Sequence, residues 1–353
     1  MHRLARDAST GVAAVDHLLQ QVIARLEDRF PHRIRSTYLK GSFADGTAVA
    51  TSDLDLLVVF QHPLSSADQH WFAALRDACN HRSPYHLDMG PEVEAELLHL
   101  PPAAAYREPL RAIVIVGFKR ASRLLSGHDV RPAVVLPPLN LYTHCLLHFA
   151  ADVVALRRGN PPHLRVPITY PDPADAFYGY ARRQVRAPDG TLRASTKNLV
   201  LSTLWIASAL LALHAHQYVP TKRACVLLYR QWINDAWTPL VEAIYQTCSQ
   251  QWAYLVPDGA AERDELRRLC RHALAFENHF LWVYQTTLLA DLQQPSRAQR
   301  LHAVQQLGRL IYPDGAVPHA VQALQADEDP DLQQAVRATL AQYPGRGGGS
   351  PLP

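Results

Sequence analysis

Apolar positions in the first 130 residues alternate between helical and strand-like spacing. Over residues 15–30 they recur at every third or fourth position, which predicts an amphipathic helix. Residues 34–39 alternate as a strand does, and Leu54–Phe60 is short and β-rich enough to be a strand covered on both faces. A helix ending near Asn80 and a third strand over residues 84–89 follow. This part of the chain is therefore predicted to form a small sheet flanked by helices.

The remaining segments of this region end at a cluster of prolines. Residues 91–100 are predicted to be helical, with Pro91 in the first turn, and a helix over 109–120 precedes a short strand over 122–126. Pro132, Pro137 and Pro138 then stand close together, which favours a domain boundary near residue 130.

Helical periodicity dominates beyond the proline cluster. We predict helices over residues 139–158, 174–183, 197–214, 221–233, 239–250 and 260–289, followed by about three short helices in the last sixty residues. The C-terminal segment GRGGGSPLP has the composition of a flexible linker. The predicted fold class is α+β, and the predicted domains are residues 1–130, a helical domain 131–292, a helical extension 293–344 and a flexible tail 345–353.

The amino-acid composition limits the classes of binding partner that we expect. The chain of 353 residues is 48% hydrophobic and has a formal charge of +3, without the excess of one sign that indicates phosphate-driven nucleic-acid binding, although it does not exclude such binding. The most apolar stretch, near residues 199–213, is shorter than a membrane span and predicts a buried helix, so no membrane partner is expected. The five cysteines never form a CxxC pair, which fits a cytoplasmic protein without structural disulfides.

Lysine is rare in this chain. The sequence contains only four lysines, Lys40, Lys119, Lys197 and Lys222, and arginine supplies the other positive side chains. Because the ammonium group of lysine is a compact point charge, each of these positions is a candidate for a role that arginine cannot fill.

The segment with the clearest chemistry runs from residue 40 to residue 59. It joins a Gly-Ser turn at Gly41 and Ser42 to an Asp-x-Asp pair, Asp53 and Asp55, at the start of a predicted strand. Residues two apart in a strand project to the same face, so the two carboxylates converge and form a site that Mg²⁺ prefers, together with substrate phosphates. Gly41 allows close approach of a phosphate, and Ser42 offers it a hydroxyl and an N–H. The competing interpretation is that both acids merely begin a strand.

The stretch GSFADGTAVATSDLDLLVV resembles the signature of the DNA-polymerase-β-like nucleotidyltransferase superfamily. The resemblance implies that residues 1–130 are a nucleotidyltransferase catalytic domain that uses ATP and Mg²⁺. It also implies a third carboxylate on a neighbouring strand, acting as metal ligand or general base. Asp88 is the candidate, whereas Glu92 and Glu94 are expected on the following helix, facing solvent.

A second resemblance covers the helical half. The segments KNLVLSTL (197–204) and VPTKRA (219–224) are similar to the C-terminal domain of aminoglycoside adenylyltransferases of the spectinomycin and streptomycin type. The resemblance implies a helical domain that closes the active-site cleft, with Lys222 reaching the nucleotide phosphates. In those enzymes acidic residues precede the first of these helices and hold a cationic drug, but here residues 191–196 read TLRAST.

The predicted function is therefore magnesium-dependent transfer of AMP from ATP to a hydroxyl of a small molecule, with an aminoglycoside-like antibiotic, and hence antibiotic resistance, as one expectation. Asp53, Asp55 and Asp88 are the predicted catalytic and metal-binding residues, and Gly41, Ser42 and Lys222 the predicted nucleotide-binding residues. Two alternatives stay open. One is a protein or RNA acceptor, as in the toxin–antitoxin branches of the superfamily, and the other is a non-catalytic nucleotide-binding module.

Overall fold

A computed structural model of the chain describes residues 9–82, 85–101 and 108–343. The first part contains five helices and four strands among these residues. Their bounds are α1 Ala13–Arg29, β1 Ile34–Lys40, α2 Gly41–Asp45, β2 Leu54–Phe60, α3 Ser66–Arg82, β3 Leu87–Val93, α4 Glu94–Leu98, α5 Pro109–Ala121 and β4 Arg123–Gly127.

The four strands form a small mixed sheet in the order β3-β2-β1-β4. β1 is antiparallel to both β2 and β4, whereas β2 and β3 are parallel. The predicted α+β class with a small mixed sheet is therefore confirmed. Because β2 lies inside the sheet, its apolar side chains are buried on both faces, as the run LDLLVVF predicted.

Each face of the sheet is covered by a different set of elements. Leu54, Leu56 and Val58 pack into a cluster with apolar residues of α1 and α3. Leu57 and Val59 point to the opposite face, where they join a cluster that includes Ile115 and Phe118 of α5. The sheet is thus fixed between helices, and the first residues of β2 are left at its edge.

The prediction for residues 84–100 is partly wrong. β3 continues through Pro91 and Glu92 to Val93, and only Glu94–Leu98 is helical. Proline is tolerated in β3 because this is an edge strand, where a missing N–H costs little. Glu92 consequently lies on a strand and forms an ion pair with Arg111 at 3.4 Å instead of facing solvent.

The second part of the chain is mainly helical. Its elements begin with a 3₁₀ turn at Arg131–Ala133, followed by α6 Leu139–Leu156, β5 Leu164–Arg165, β6 Gln184–Arg186, β7 Leu192–Ala194, α7 Lys197–Ala215, α8 Lys222–Leu228, a π-helical turn Tyr229–Ile233, α9 Thr238–Ala243, a second π-helical segment Ile244–Gln251 and α10 Ala260–Asp291. α6 and α7 are long and apolar enough to cross a bilayer, but most of each helix is buried in the protein core, as expected for core helices.

One local prediction in this part is wrong, and one hairpin was not predicted. Residues 174–183 form turns and not a helix, because Pro173 and Gly179, with φ of +85°, interrupt any helical run. Residues 184–194 contain an antiparallel hairpin, β6 and β7, in which Val185 pairs with Arg193. The Pro-Asp-Gly turn at residue 188 connects its strands.

Three short helices follow, as predicted: α11 Arg297–Arg309, α12 Ala316–Gln322 and α13 Pro330–Leu340, with the strand β8 Leu310–Ile311 between the first two. β8 pairs in parallel with β5. The buried side chains of this extension, such as Val304, Leu307 and Val336, belong to the same hydrophobic cluster as the helices before it. The extension is thus packed onto the helical part. The predicted domain boundaries stay predictions, and the predicted tail 345–353 lies outside the described residues.

A buried ionic cluster centres on Glu277 of α10, whose side chain is 1% exposed. It forms ion pairs with Arg157 at 3.2 Å and Arg158 at 2.9 Å. Tyr180 and Ser202 donate hydrogen bonds to the same carboxylate at 3.0 and 2.5 Å. One acidic side chain therefore connects α6, the turn region, α7 and α10.

We expect Glu277→Ala to lower the free energy of unfolding by about 3–5 kcal/mol, because it leaves two buried guanidinium groups without their carboxylate. Urea denaturation followed by circular dichroism measures the change. Glu265→Ala on the same helix is the control, since the partly exposed Glu265–Arg268 pair is expected to contribute less than about 1 kcal/mol. Equal effects of the two substitutions would contradict a structural role for the cluster.

Candidate active site

A cavity of about 340 Å³ opens between the start of β2 and the helical part of the chain. The sheet side contributes Lys40, Gly41, Ser42, Asp53 and Asp55, and the helical side contributes Arg183, Lys197, Lys222, Tyr245 and Tyr254. Of the six sequence-predicted site residues, five line this cavity. The tertiary fold thus brings Lys222 to the Gly-Ser turn and the Asp-x-Asp pair, although some 170 residues separate them in the sequence.

The Gly-Ser turn is the first turn of the short helix α2. Gly41 has a φ of +66°, which favours glycine, and a Cβ atom there would overlap the Oδ2 atom of Asp55. Gly46 ends the helix in the left-handed region with a φ of +73°. Glycine is therefore required at position 41 for two reasons, backbone conformation and contact with a carboxylate.

Asp53 and Asp55 lie where β2 begins, and Asp55 is the register partner of Lys40 on β1. Burial raises the pKa of Asp55 from its ordinary value of 3.8 to about 6. The Lys40 and Lys222 ammonium groups lower this pKa, whereas the Asp53 and Asp88 carboxylates raise it. Two neighbouring carboxylates thus lie at the start of β2, and keeping Asp55 ionised there costs free energy.

Asp88 stands opposite Asp55 in the parallel β2–β3 register. Its side chain is exposed, and it is absent from the lining of the cavity between β2 and the helical part. In the described parts of the chain, no group of three or more His, Cys, Asp or Glu side chains is arranged to hold a metal ion. The fold therefore brings Asp88 beside the Asp-x-Asp pair without closing a three-carboxylate cluster.

Lys197 is one of the four lysines noted in the sequence, but it was not among the predicted site residues. Its side chain is 7% exposed, and its ammonium group donates to Oδ2 of Asp53 at 2.8 Å. Burial lowers the pKa of Lys197, and the Asp53 carboxylate raises it. Arg183 approaches the same oxygen at 3.9 Å. Both contacts involve Oδ2, and no described residue forms a hydrogen bond or ion pair with Oδ1 of Asp53, which leaves this oxygen as a donor for a further cation.

Three of the four lysines, Lys40, Lys197 and Lys222, line this cavity. Lys119 lies elsewhere and donates to the carbonyl groups of Arg131 at 3.2 Å and Pro132 at 3.4 Å. The rarity of lysine was thus the sequence signal that could have identified Lys40 and Lys197. Compact ammonium groups concentrate positive charge where arginine would need more space.

Tyr254 holds two of these lysines in place. Lys222 donates to the Tyr254 hydroxyl at 3.0 Å, and the Lys197 ammonium lies 5.6 Å from the centre of the ring. Tyr254 and Ala253 both have positive φ values, 63° and 46°, and Thr51 donates to the carbonyl oxygen of Ala253. This contact joins the loop before Asp53 directly to the helical part.

The other half of the cavity is apolar. Its lining comes from α5, from α7 and from the segment before Lys222, and includes Ile113, Leu204, Trp205 and Val219. Charged groups therefore lie at one end of the cavity and apolar side chains at the other. Such a division suits a ligand with an anionic end and a flat apolar end.

Residues 19–123 match the family model described as nucleotidyltransferase domain. This part of the chain is similar to nucleotidyltransferase domains. The match includes most of α1, the strands β1 to β3, the Gly-Ser turn and both acids of the Asp-x-Asp pair, and it confirms the nucleotidyltransferase prediction for the N-terminal region. A comparison with curated proteins gives no match.

Solved structures similar to the chain include spectinomycin adenyltransferase AAD(9) from Enterococcus faecialis, determined with ATP and spectinomycin. It is 11% identical, with a TM-score of 0.47, and the match covers 74% of this chain and 98% of that chain. A similarity this distant transfers neither a substrate nor the role of any residue.

The residues of the nucleotidyltransferase domain fit a magnesium ion. Asp55 and the Oδ1 atom of Asp53 are oxygen donors at one edge of β2, and the raised pKa of Asp55 reflects a carboxylate that lacks full compensation by the protein. Mg²⁺ usually takes one or two carboxylates and completes its shell with water and substrate phosphates, so two acids suffice.

We expect Gly41→Ala to abolish nucleotide binding, because the added methyl group would displace the Asp55 carboxylate. Gly46→Ala is a matched control: its φ is also positive, but a Cβ there meets no atom within 4 Å. Both substitutions should therefore cost about 1–2 kcal/mol of backbone strain, and only the first should lose binding in calorimetric titration with ATP and Mg²⁺. Loss of binding in both variants would show that strain alone is responsible.

We also expect Asp55→Asn to stabilise the metal-free protein at neutral and alkaline pH. Since the folded-state pKa of about 6 exceeds the ordinary 3.8, the native state retains a proton that the unfolded state releases, and stability falls as pH rises through this window. Above it, ionised Asp55 costs on the order of 2–3 kcal/mol. Thermal melts in EDTA should show a stabilising difference at about pH 8 that shrinks toward about pH 4. A difference independent of pH would contradict the assignment.

Proposed function

We propose that this protein transfers AMP from ATP to a hydroxyl group of an acceptor in a magnesium-dependent reaction. The observation that carries the proposal is the single cavity in which the Gly-Ser turn and the Asp-x-Asp pair of the nucleotidyltransferase domain face Lys222 and Lys197 from the helical part. Phosphoryl transfer depends mainly on positioning and charge neutralisation, and these groups supply both.

In the proposed complex the triphosphate lies at the charged end of the cavity. Gly41 and Ser42 contact phosphate oxygens, while Lys40 and Lys222 neutralise the phosphate charge. The apolar end, near Ile113 and Trp205, suits the nucleoside base. Lys222 is already positioned by its contact with Tyr254, so binding costs little side-chain ordering.

Asp53 and Asp55 would hold the magnesium ion, which when bound supplies charge neutralisation and polarises the α-phosphate. The acceptor oxygen then forms a bond to the α-phosphorus, and the bond from that phosphorus to the bridging oxygen breaks. Pyrophosphate leaves, and the hydroxyl proton goes to a carboxylate. We propose Asp88 as the carboxylate that takes this proton: it does not line the cavity, but it stands opposite Asp55 in the sheet, and its charge acts on the Asp55 carboxylate.

Incubation with ATP labelled at the α-phosphate, Mg²⁺ and separate acceptor pools tests the proposal. The pools are aminoglycosides, phosphorylated sugars, total tRNA and cell protein. Release of pyrophosphate with transfer of label to one pool is the expected result. Tight ATP binding without pyrophosphate release in any pool would instead indicate a nucleotide-binding module.

We expect Asp53→Asn and Asp55→Asn each to reduce transfer by at least about 1000-fold, because loss of a metal-binding carboxylate removes several kcal/mol of transition-state stabilisation. Asp77→Asn, which changes an exposed acid of the same domain, is the control and should retain activity. Circular dichroism verifies that the variants are folded. Near-full magnesium-dependent activity in either site variant would reject the proposed site.

A further inference from the structure

A second cavity, of about 430 Å³, lies next to the one described above. Both cavities are lined by Ser52, Asp53, Arg183 and Lys197, so they meet at the Asp53 carboxylate. The second cavity is bounded on one side by the β6–β7 hairpin and on the other by the end of α3 and the start of β3. A molecule bound there would lie beside the Asp53 carboxylate, next to the proposed nucleotide cavity.

The lining of this second cavity is basic. It contains Arg183, Arg186 and Lys197, together with His81 and His86, which add further potential donors. Among the described residues that line it, Asp53 is the one acid, and Lys197 already compensates it at 2.8 Å. The cavity therefore carries an excess of positive charge.

Backbone hydrogen bonds fix the position of Arg183, which directly precedes the hairpin. The carbonyl group of Arg183 accepts hydrogen bonds from both the backbone N–H and the hydroxyl of Ser195, at 2.8 and 2.7 Å. Ser195 in turn precedes α7, the helix that presents Lys197. The position of the hairpin relative to the Asp53–Lys197 pair is thus set by direct hydrogen bonds.

Arg186 differs from the other arginines of the hairpin region. Arg193 binds both oxygens of Asp258 at 2.8 Å, and Arg182 pairs with Asp172. Within the described residues, no carboxylate lies within ion-pair distance of Arg186, whose side chain donates only to the Gly190 carbonyl at 3.2 Å. An exposed guanidinium group at the mouth of a cavity is suited to bind a phosphate or carboxylate from outside the protein.

We infer that the acceptor is a small anionic hydroxyl compound of the phosphorylated-sugar type, bound in this second cavity with its anionic group at Arg186 and Arg183. The inference rests on the proposed function, since it places the acceptor hydroxyl beside Asp53. The positive lining repels a polycationic aminoglycoside, in agreement with the absence of acids in residues 191–196. A cavity of this size suits a small molecule better than a polynucleotide.

Binding measurements test the inference separately from catalysis. Calorimetric titration with α,β-methylene ATP and Mg²⁺ first reports the nucleotide cavity, and failure of this analogue to bind would contradict the proposed function alone. The protein saturated with the analogue, or the free protein if the analogue does not bind, is then titrated with ribose 5-phosphate, ribose and streptomycin. We expect ribose 5-phosphate to bind, with much weaker or undetectable binding of the other two.

Two arginine variants locate the binding site. Arg186→Ala should weaken ribose 5-phosphate binding about ten-fold, since it removes a charge-assisted hydrogen bond, while leaving binding of α,β-methylene ATP unchanged. Arg193→Ala, on the same hairpin but paired with Asp258 and absent from the cavity lining, should change neither. Equal loss in both variants, tighter binding of streptomycin than of ribose 5-phosphate, or transfer of label to tRNA in preference to small anions would overturn the inference.

Discussion

The concentration of negative charge at the start of β2 is the constraint to which the rest of the site responds. Asp53 and Asp55 share one edge of a buried strand, and burial raises the pKa of Asp55 to about 6. Lys40 and Lys222 act on Asp55, and Lys197 pairs with Asp53. Ammonium groups from both parts of the chain thus compensate the two carboxylates. Such a concentration of negative charge lowers the stability of the folded state, so its presence points to a functional role.

Contacts between the two parts of the chain lie directly beside these charged groups. The loop before Asp53 is tied to Ala253 by Thr51, and Tyr254 lies between Lys197 and Lys222. The positive φ angles of Ala253 and Tyr254 are held by these contacts. These contacts keep the ammonium groups of Lys197 and Lys222 near the Asp53 and Asp55 carboxylates.

Asp53 lines both the proposed nucleotide cavity and the proposed acceptor cavity. Its Oδ2 atom faces Lys197 and Arg183, which line both cavities, while Oδ1 has no polar contact with the part of the chain that the structure describes. A buried lysine at this position can compensate the carboxylate in the absence of metal and remain near the phosphates when metal is present. Arg183 and Lys197 contribute positive charge to both cavities, so the proposed nucleotide site and the proposed acceptor site share charged groups.

The local sequence determined the mixed sheet, the Gly-Ser turn and the Asp-x-Asp pair, because strand period and glycine conformation act over a few residues. It also indicated Lys222 through a motif. Only the tertiary structure decided that β3 continues through Pro91, that residues 184–194 form a hairpin and that Lys197 contacts Asp53. An edge strand can accept proline only once its neighbours are known, and a charge pair spanning 144 positions depends on how the two parts pack.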